Sequence, residues 1–304
     1  MRLFSRSLLL VLFAGAVFAA PGELEDTFRK LQEAQKQNDP ALVKKLAAET
    51  CALARKVIAT PAPESEAEKQ VWASTVENAR LIEVNTEYAL YVTAIQAKPE
   101  TTVDLLSALE EQNPKSRYLD LAYARYLYAL AQTGQSAKIP AIAEKAIEHH
   151  PDNEDLLLVL ADTAMNRKQS DRALRYSTRL VSVLEKHPVP EGMSAADWKK
   201  KRAAALGRGY WIAGLIYTEQ NKYSPADKAL RAALPLIEGD ESMTAAALFN
   251  LGVVNYQLGR LTNDKPRVLE AAKFSDRAAA MKSPFATQAW KNAHIMRTEA
   301  LKMH

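Results

Sequence analysis

The feature that most constrains this chain is an internal repeat with a period of 34 residues. Nine positions, nearly all small, apolar or aromatic, run from Tyr123 to Pro151, and the same spacing returns from Leu157, Tyr210 and Leu248. A single repeat of this length cannot bury its apolar side, so neighbouring repeats have to stack on one another. The chain is therefore expected to form a stacked array and not one globular core.

The repeats are predicted to be helical throughout. Only 10 glycines occur in 304 residues and runs of alternating β-branched residues are few, which favours an all-α chain. Small residues recur where the first helix of each repeat is expected to cross the second, as at Gly214 and Gly252. A glycine inside a helix costs roughly 1 kcal/mol against alanine. We expect close contact with a second helix around Ala226 and Leu230 to offset that cost at Gly214.

The stretch YWIAGLIY, residues 210–217, is predicted to have two faces. Trp211 and Leu215 are expected to point away from the following helix, toward a possible partner. The face that packs on the following helix is expected to consist of Tyr210, Ala213, Gly214 and Tyr217.

This spacing resembles the tetratricopeptide repeat (TPR) family, whose helix–turn–helix unit carries large, small and aromatic residues at fixed places. The strongest match is Y-x-x-A-G-x-x-Y over residues 210–217, followed by Tyr223, Ala226, Leu230 and Ala233. The resemblance covers residues 118–286, a little over half of the chain. It implies an all-α fold, namely a right-handed α-solenoid of helix–turn–helix (TPR-like) repeats. The implied repeats span about 120–153, 154–187, 207–240 and 245–286.

The other segments are expected to flank these four repeats, which together occupy residues 117–286. Residues 20–116 are interpreted as helical hairpins that match the repeat only loosely, the first of them turning at Asn38-Asp39-Pro40. A capping box at Ser194 is expected to start the first helix of the third repeat. Residues 287–304 are predicted to form a terminal helix that caps the last repeat, since such arrays need a covered end for solubility.

The first 19 residues have the pattern of a secretory signal peptide. Arg2 and Arg6 precede an apolar run from Leu8 to Ala19, and small residues end that run. An uncleaved membrane anchor is the alternative, but the run is shorter than the roughly 20 apolar residues that span a bilayer. We therefore expect an exported protein in the periplasm, or alternatively outside the cell, with no membrane span after cleavage.

The charge balance argues against a nucleic-acid partner. The chain has 40 Lys and Arg against 36 Asp and Glu, and loss of Arg2 and Arg6 leaves 38 against 36. A net charge this close to zero does not favour binding to nucleic acid or to an anionic membrane. The basic run from Lys199 to Arg202 is interpreted as the solvated side of a helix.

Cys51 is the only cysteine, so no internal disulfide can form. A lone cysteine in an exported protein can pair between chains or react. The surrounding sequence TCALARKVI has the pattern of a half-buried helix, which favours a small core residue.

Residues with catalytic or metal-binding spacing are not found in the sequence. It contains no phosphate-binding glycine loop, no H-E-x-x-H, no G-x-S-x-G and no C-x-x-C. His149, His150 and His187 are instead expected at helix ends, where a cation meets the carbonyl end of the helix dipole. We expect no cofactor, no metal and no enzymatic activity.

The resemblance also implies which side chains line a groove, because in TPR proteins the first helix of each repeat forms the concave surface. Transferred to this chain, the positions combine aromatic residues, which most often anchor interfaces, with a few polar groups. The alternative is that these aromatic residues pack on the neighbouring repeat or on the terminal helix. The predicted partner-binding residues are Tyr128, Asp162, Asn166, Arg208, Trp211, Leu215, Phe249, Val253 and Gln257.

These observations lead to one expected function and two alternatives. We expect an exported scaffold that binds another protein or a peptide segment through its concave surface, as TPR proteins of bacterial envelopes do in assembly and secretion. One alternative is a helical-repeat hydrolase or sugar-binding protein, which requires an enclosed pocket with clustered carboxylates. The other is a structural homo-oligomer built end to end, although the charged terminal helix favours a monomer or a weak oligomer.

Overall fold

The structure, a computed structural model, describes residues 21–190 and 193–303. Within those ranges the regular elements are thirteen α-helices and one turn of 3₁₀ helix, and no strand is present. The prediction of an all-α chain is therefore confirmed for the described residues. The predicted signal peptide, residues 1–19, lies outside them and stays a prediction.

The described part of the chain divides into two compact units on either side of the boundary between residues 134 and 135, here called the N-terminal unit and the C-terminal unit. The division follows Gly134, which adopts a left-handed backbone conformation with φ of 72°. The helices of the N-terminal unit are α1 (Pro21–Lys36), α2 (Pro40–Ile58), α3 (Glu66–Gln96), α4 (Pro99–Gln112) and α5 (Arg117–Gln132).

The first hairpin of the N-terminal unit turns where the sequence predicts. Asn38 takes a left-handed conformation with φ of 56°, which lets the chain reverse after α1. Asp39 then caps α2, because its carboxylate accepts a hydrogen bond of 3.0 Å from the amide of Leu42. Pro40 follows at the first helical position, where a missing N–H costs nothing.

The long helix α3 is the central element of the N-terminal unit and contacts each of the other four helices. Ala79, Ile82 and Leu90 lie on its buried side. Glu87 is buried as well, and its carboxylate accepts hydrogen bonds of 2.7 Å from the Asn113 amide and from the Ser116 hydroxyl. These two donors stabilise the buried carboxylate and join α3 to the turn between α4 and α5.

The C-terminal unit begins with a short 3₁₀ turn at Ser136–Lys138 and continues with eight α-helices. Consecutive helices from α6 onward pack against each other. In addition α7 contacts α9, α9 contacts α11 and α11 contacts α13, whereas no such contact joins α8 to α10 or α10 to α12. The helices are α6 (Ile139–Ala146), α7 (Glu154–Asn166), α8 (Ser170–Lys186), α9 (Ala195–Glu219), α10 (Tyr223–Ile237), α11 (Glu241–Thr262), α12 (Lys265–Ala279) and α13 (Ala286–Ala300).

The helix crossings of the C-terminal unit depend on glycine, as predicted. A Cβ atom placed on Gly214 of α9 would lie 2.5 Å from Cγ of Leu230 on α10, so any larger residue meets that side chain. A Cβ atom on Gly252 of α11 would collide with the hydroxyl of Ser275 on α12. In both pairs the helices therefore approach so closely that a side chain of the neighbouring helix occupies the space a Cβ atom would need.

More of the surface of α9 is buried than the two-face prediction implies. Ala213 and Gly214 are buried as expected, but Tyr210 and Tyr217, predicted to turn inward, are only half-buried. Ile212 and Ile216 are completely buried against the preceding helices, in a cluster that includes Ala161, Ala164 and Ala173. The prediction was incomplete because it placed one neighbour beside α9, whereas α7 and α8 pack on it from one side and α10 and α11 from another.

The segment before the third predicted repeat and the C-terminal segment are both helical, as expected. Ser194 caps α9 by accepting a hydrogen bond of 3.1 Å from the Asp197 amide, so this helix starts before Trp198. Trp198 is buried beside His187, which directly follows the end of α8. In the C-terminal segment α13 packs on α11 and α12 and buries Met296.

A buried polar network joins three helices of the C-terminal unit. Asn255 on α11 is completely buried, and its amide nitrogen donates a hydrogen bond of 2.6 Å to Asp227 on α10. Its oxygen accepts from Arg231 on α10 and Arg267 on α12, at 3.2 and 3.0 Å. Arg231 also pairs with Glu270 at 2.7 Å. The buried amide is thus fully hydrogen-bonded, which a buried polar group requires to be tolerated.

Cys51 occupies the core of the N-terminal unit, as the sequence predicts. Its side chain is buried on α2, and burial raises the pKa of the thiol to about 12. The thiol is therefore protonated at neutral pH and has the character of a small apolar side chain.

Candidate binding surface

The predicted groove position in the N-terminal unit is exposed. Tyr128 on α5 exposes 55% of its surface, and Leu121, two turns earlier, also lies in solvent. The opposite side of α5 carries Tyr123 and Tyr126, which are almost completely buried. The helix therefore leaves an apolar side uncovered, because the residues that pack in the core follow the other stripe.

In the C-terminal unit the structure brings Asp162 and Arg208 together. Nε of Arg208 on α9 lies 2.7 Å from a carboxylate oxygen of Asp162 on α7. The same guanidinium lies over the indole ring of Trp211, 4.7 Å from its centroid. Three predicted binding residues thus form one connected chain of contacts that joins two successive odd-numbered helices.

Trp211 is less available than an interface anchor usually is. Its indole N–H donates a hydrogen bond of 3.0 Å to the carbonyl of Met243 at the start of α11. The ring and the side chain of Leu215 pack against the core formed by α10, α11 and α12. Trp211 therefore holds α9 and α11 together and presents only part of its ring to solvent.

Phe249 is covered from the C-terminal side. Its ring stacks on Phe285, which directly precedes α13, with 5.1 Å between the centroids and 25° between the planes. The alternative that the sequence left open, aromatic residues packing on the neighbouring repeat or the terminal helix, describes the contacts of Phe249 and of Trp211. Asn166, at the last turn of α7, is exposed.

Val253 and Gln257 line a cleft between α11 and α13. The cleft has a volume of about 220 Å³, and Asn292, Ile295 and Met296 form its other wall. Ile295 exposes 49% of its surface there. Sequence reasoning missed this wall because it assigned α13 only a capping role, although the exposed Trp290 and Ile295 could have indicated a second apolar side.

Polar side chains lie beside the cleft toward the C-terminal ends of α11 and α13. Arg260 on α11 lies 3.6 Å from Glu299 on α13, and its guanidinium lies over the ring of Tyr256. Burial and a hydrogen bond with Glu299 raise the pKa of Tyr256. The phenol is therefore neutral at physiological pH, and the cleft combines an apolar interior with a rim of hydrogen-bonding groups.

The basic run from Lys199 to Arg202 is only partly solvated, which corrects the sequence interpretation. Lys199 and Lys200 are exposed, but Lys201 pairs with Glu154 at 2.9 Å and Asp155 at 2.7 Å. Burial opposes the charge of Lys201, yet the two carboxylates outweigh it and raise its pKa. Nε of Arg202 donates to the carbonyl of Leu184. The run was misread because its partners lie on α7 and α8, far away in sequence.

A groove of about 900 Å³ runs along α8 in the C-terminal unit. Its charged lining is mainly basic and includes Arg175, Arg179 and Lys186. Its carboxylate, Asp152, forms an ion pair of 2.9 Å with Arg179. General acid–base hydrolysis of glycosides uses two flanking carboxylates, and this groove does not supply such a pair.

Metal ligands, membrane-spanning helices and similarity to known proteins were each considered for the described residues. Within residues 21–190 and 193–303 no group of three or more His, Cys, Asp or Glu is placed to hold a metal ion. No helix described by the structure is long and apolar enough to cross a membrane. A scan against protein-family models finds no match to the chain, and a search of curated proteins finds no similar sequence.

Proposed function

We propose that this protein is an exported, TPR-like scaffold that binds a protein partner, or an extended segment of one, and does not catalyse a reaction. In this proposal helices α7 to α13 form part of a right-handed α-solenoid with the odd-numbered helices on its concave side. The pattern of helix contacts supports it, because α7 touches α9, α9 touches α11 and α11 touches α13, whereas α8 does not touch α10 and α10 does not touch α12.

The observation that carries the proposal is the cleft between α11 and α13. Two of the predicted binding residues, Val253 and Gln257, line it, and a volume of about 220 Å³ is left open beside the exposed Ile295. Small-molecule sites usually enclose roughly 300 to 1,000 Å³, so this cleft is small for a metabolite. An apolar side chain of a bound peptide is a better fit, with Gln257 and Asn292 available to its backbone.

The remaining predicted residues have a supporting part in this proposal. Asp162, Arg208 and Trp211 are already engaged with one another or with Met243, and they keep the odd-numbered helices in register. Asn166 lies on the exposed part of the same row, and Tyr128 is the exposed position in the N-terminal unit. Binding energy is then expected from a few unfilled positions and not from the aromatic residues that pack internally.

The experiment begins with affinity capture of the protein from the envelope of its own cell, followed by titration of the captured partner by calorimetry. Ile295→Glu places a charge at the mouth of the cleft and should weaken binding at least about tenfold, equivalent to about 1.4 kcal/mol. Leu269→Glu is the matched control, since Leu269 is similarly exposed on α12 and carries no predicted contact.

Circular dichroism of both variants should match the unsubstituted protein, because both side chains are exposed. Equal affinity of the Ile295→Glu variant and the unsubstituted protein would remove the cleft from the binding surface. A release of product from the captured partner by the purified protein would contradict the non-catalytic proposal.

A further inference from the structure

The proposed function leaves the basic groove along α8 without a role. Helix α8 packs on α7 and α9 through a buried stripe that includes Ala173, Leu180 and Leu184. Its other side forms a wall of the groove of about 900 Å³. Arg175 and Lys186 lie on that wall, and both are exposed.

The cationic side chains of the groove fall on one row of α8. Arg175, Arg179 and Lys186 follow one another at intervals of 4 and 7 residues, so they lie on the same side of the helix. Arg179 is already neutralised, because it donates hydrogen bonds of 3.1 and 2.9 Å to Asp152. The side chains of Arg175 and Lys186 have no hydrogen bond or ion pair with another described residue. The groove therefore presents two unpaired positive charges, one on each side of a neutral pair.

The two unpaired charges are too far apart for one small anion. Eleven residues of α-helix lead from Arg175 to Lys186, which corresponds to about 16 Å along the helix axis. An extended chain advances about 3.3 Å per residue, so about five residues of a bound segment cover this distance. A ligand that pairs with both charges is therefore elongated and carries an anionic group at each end.

The middle of the groove distinguishes an acidic peptide from a uniform polyanion. Tyr176 and Val183 are half-buried, lie between Arg175 and Lys186 along the helix, and offer contact to uncharged side chains. Asp152 is exposed at the same groove and repels a strand that is charged at every unit, such as a nucleic acid. A peptide can place uncharged residues opposite Asp152 and acidic residues on either side. Charge complementarity thus favours a peptide with separated carboxylates.

The charge of the surrounding unit favours the same kind of ligand. Residues 135–304 contain more basic than acidic residues, whereas residues 20–134 contain more acidic ones, so a total near zero conceals a basic C-terminal unit. A basic surface raises the rate at which acidic partners are encountered. We propose that the groove along α8 binds an extended acidic segment of a protein, in which two acidic residues about five positions apart pair with Arg175 and Lys186. The groove lies on other helices than the cleft between α11 and α13, and its proposal does not rest on the function proposed for that cleft.

Fluorescence anisotropy with synthetic peptides tests the proposal on the full chain. The probe is a labelled ten-residue peptide of glycine, serine and leucine that carries two glutamates five positions apart. It should bind saturably with a Kd below about 1 mM at about 50 mM salt. A peptide of the same composition with its glutamates adjacent should bind about two- to fivefold more weakly, because it reaches only one of the two cations.

Substitutions in the groove test which side chains hold the probe. Arg175→Gln and Lys186→Gln should each weaken binding about two- to fivefold, as expected for the loss of one exposed ion pair. Asp152→Asn should strengthen binding by a similar factor, because it removes the carboxylate and releases Arg179. Arg277→Gln is the matched control, since Arg277 is exposed on α12 and the same charge is removed outside the groove. Circular dichroism should be unchanged in all four variants, because each substituted side chain is exposed.

Four results overturn the proposal. Absence of saturable binding below about 1 mM excludes the peptide site. Equal affinity for the peptide with adjacent glutamates excludes the spacing of two charges. Equal losses in Arg175→Gln and Arg277→Gln show general charge attraction and remove the groove from the site. Tighter binding of a ten-nucleotide single strand of thymidine than of the probe makes the groove a nucleic-acid site. Ile295→Glu should leave the affinity for this probe unchanged, so failure of the cleft proposal and failure of this one are distinguishable.

Discussion

Replacement of Gly214 by alanine tests whether close helix approach determines the repeat. Two effects oppose each other in this variant. Alanine is favoured over glycine inside a helix by roughly 1 kcal/mol, so the isolated helix α9 gains stability. The new Cβ atom, however, would lie 2.5 Å from Cγ and 2.6 Å from Cδ2 of Leu230, well inside van der Waals contact.

The size of the second effect follows from the surroundings of Leu230. This side chain is completely buried in the cluster that includes Leu248 and Leu251, so it has little room to change rotamer. Overpacking of a filled core by one methyl group typically costs about 1 to 3 kcal/mol. Subtracting the gain in helix propensity leaves a net loss of up to about 2 kcal/mol in the free energy of unfolding.

Urea unfolding followed by circular dichroism measures this difference. Gly22→Ala is the control, because no atom lies within 4 Å of a Cβ atom at Gly22, and no loss is expected there. Leu230→Ala combined with Gly214→Ala removes the collision, so the double variant should lose less than the sum of the two single losses. If Gly214→Ala instead stabilises the protein by about 1 kcal/mol, the helices separate freely and the reasoning is refuted.

Three further predictions concern single side chains. Asn255→Leu should lower the free energy of unfolding by about 1 to 3 kcal/mol, because Asp227 and two partly exposed arginines lose the hydrogen-bond partner that the buried Asn255 supplies; an unchanged urea midpoint would contradict this. Trp211→Phe should cost about 0.5 to 1.5 kcal/mol through loss of the bond to Met243, measured by the same titration. Cys51 should resist alkylation below pH 9 in the folded protein and react rapidly in urea, because burial raises its pKa from 9.0 to about 12. The same shift means that stability falls as pH rises from 9 toward 12, where only the unfolded thiol ionises.

Local spacing predicts much of this fold. The turn at Asn38 and the cap at Ser194 depend on residues within a few positions of each other. The close approach at Gly214 follows from the repeat spacing, which identifies the helix that packs on it. Propensities and caps act over one helical turn, so a single sequence contains them.

Contacts between distant segments are the part that the sequence left open. Lys201 was expected in solvent because its carboxylate partners lie 46 and 47 residues earlier. The stacking of Phe249 on Phe285 depends on where the chain returns after α12. The cleft beside Val253 depends on how α13 is placed relative to α11, and the periodicity of a single helix does not predict that placement.

The network around Asn255 has a consequence for how this chain can change in length. Stacked repeats are usually tolerant of gain or loss at their ends, since each contacts only its neighbours. Here Asp227 and Arg231 of one repeat share a buried amide with Arg267 of the next. Deletion of α12 and α13 would remove Arg267 and Glu270, which leaves the oxygen of Asn255 with one donor and leaves Asp227 and Arg231 paired only with each other. A chain shortened at this point is therefore expected to lose stability in α10 and α11 as well as in the helices that are removed.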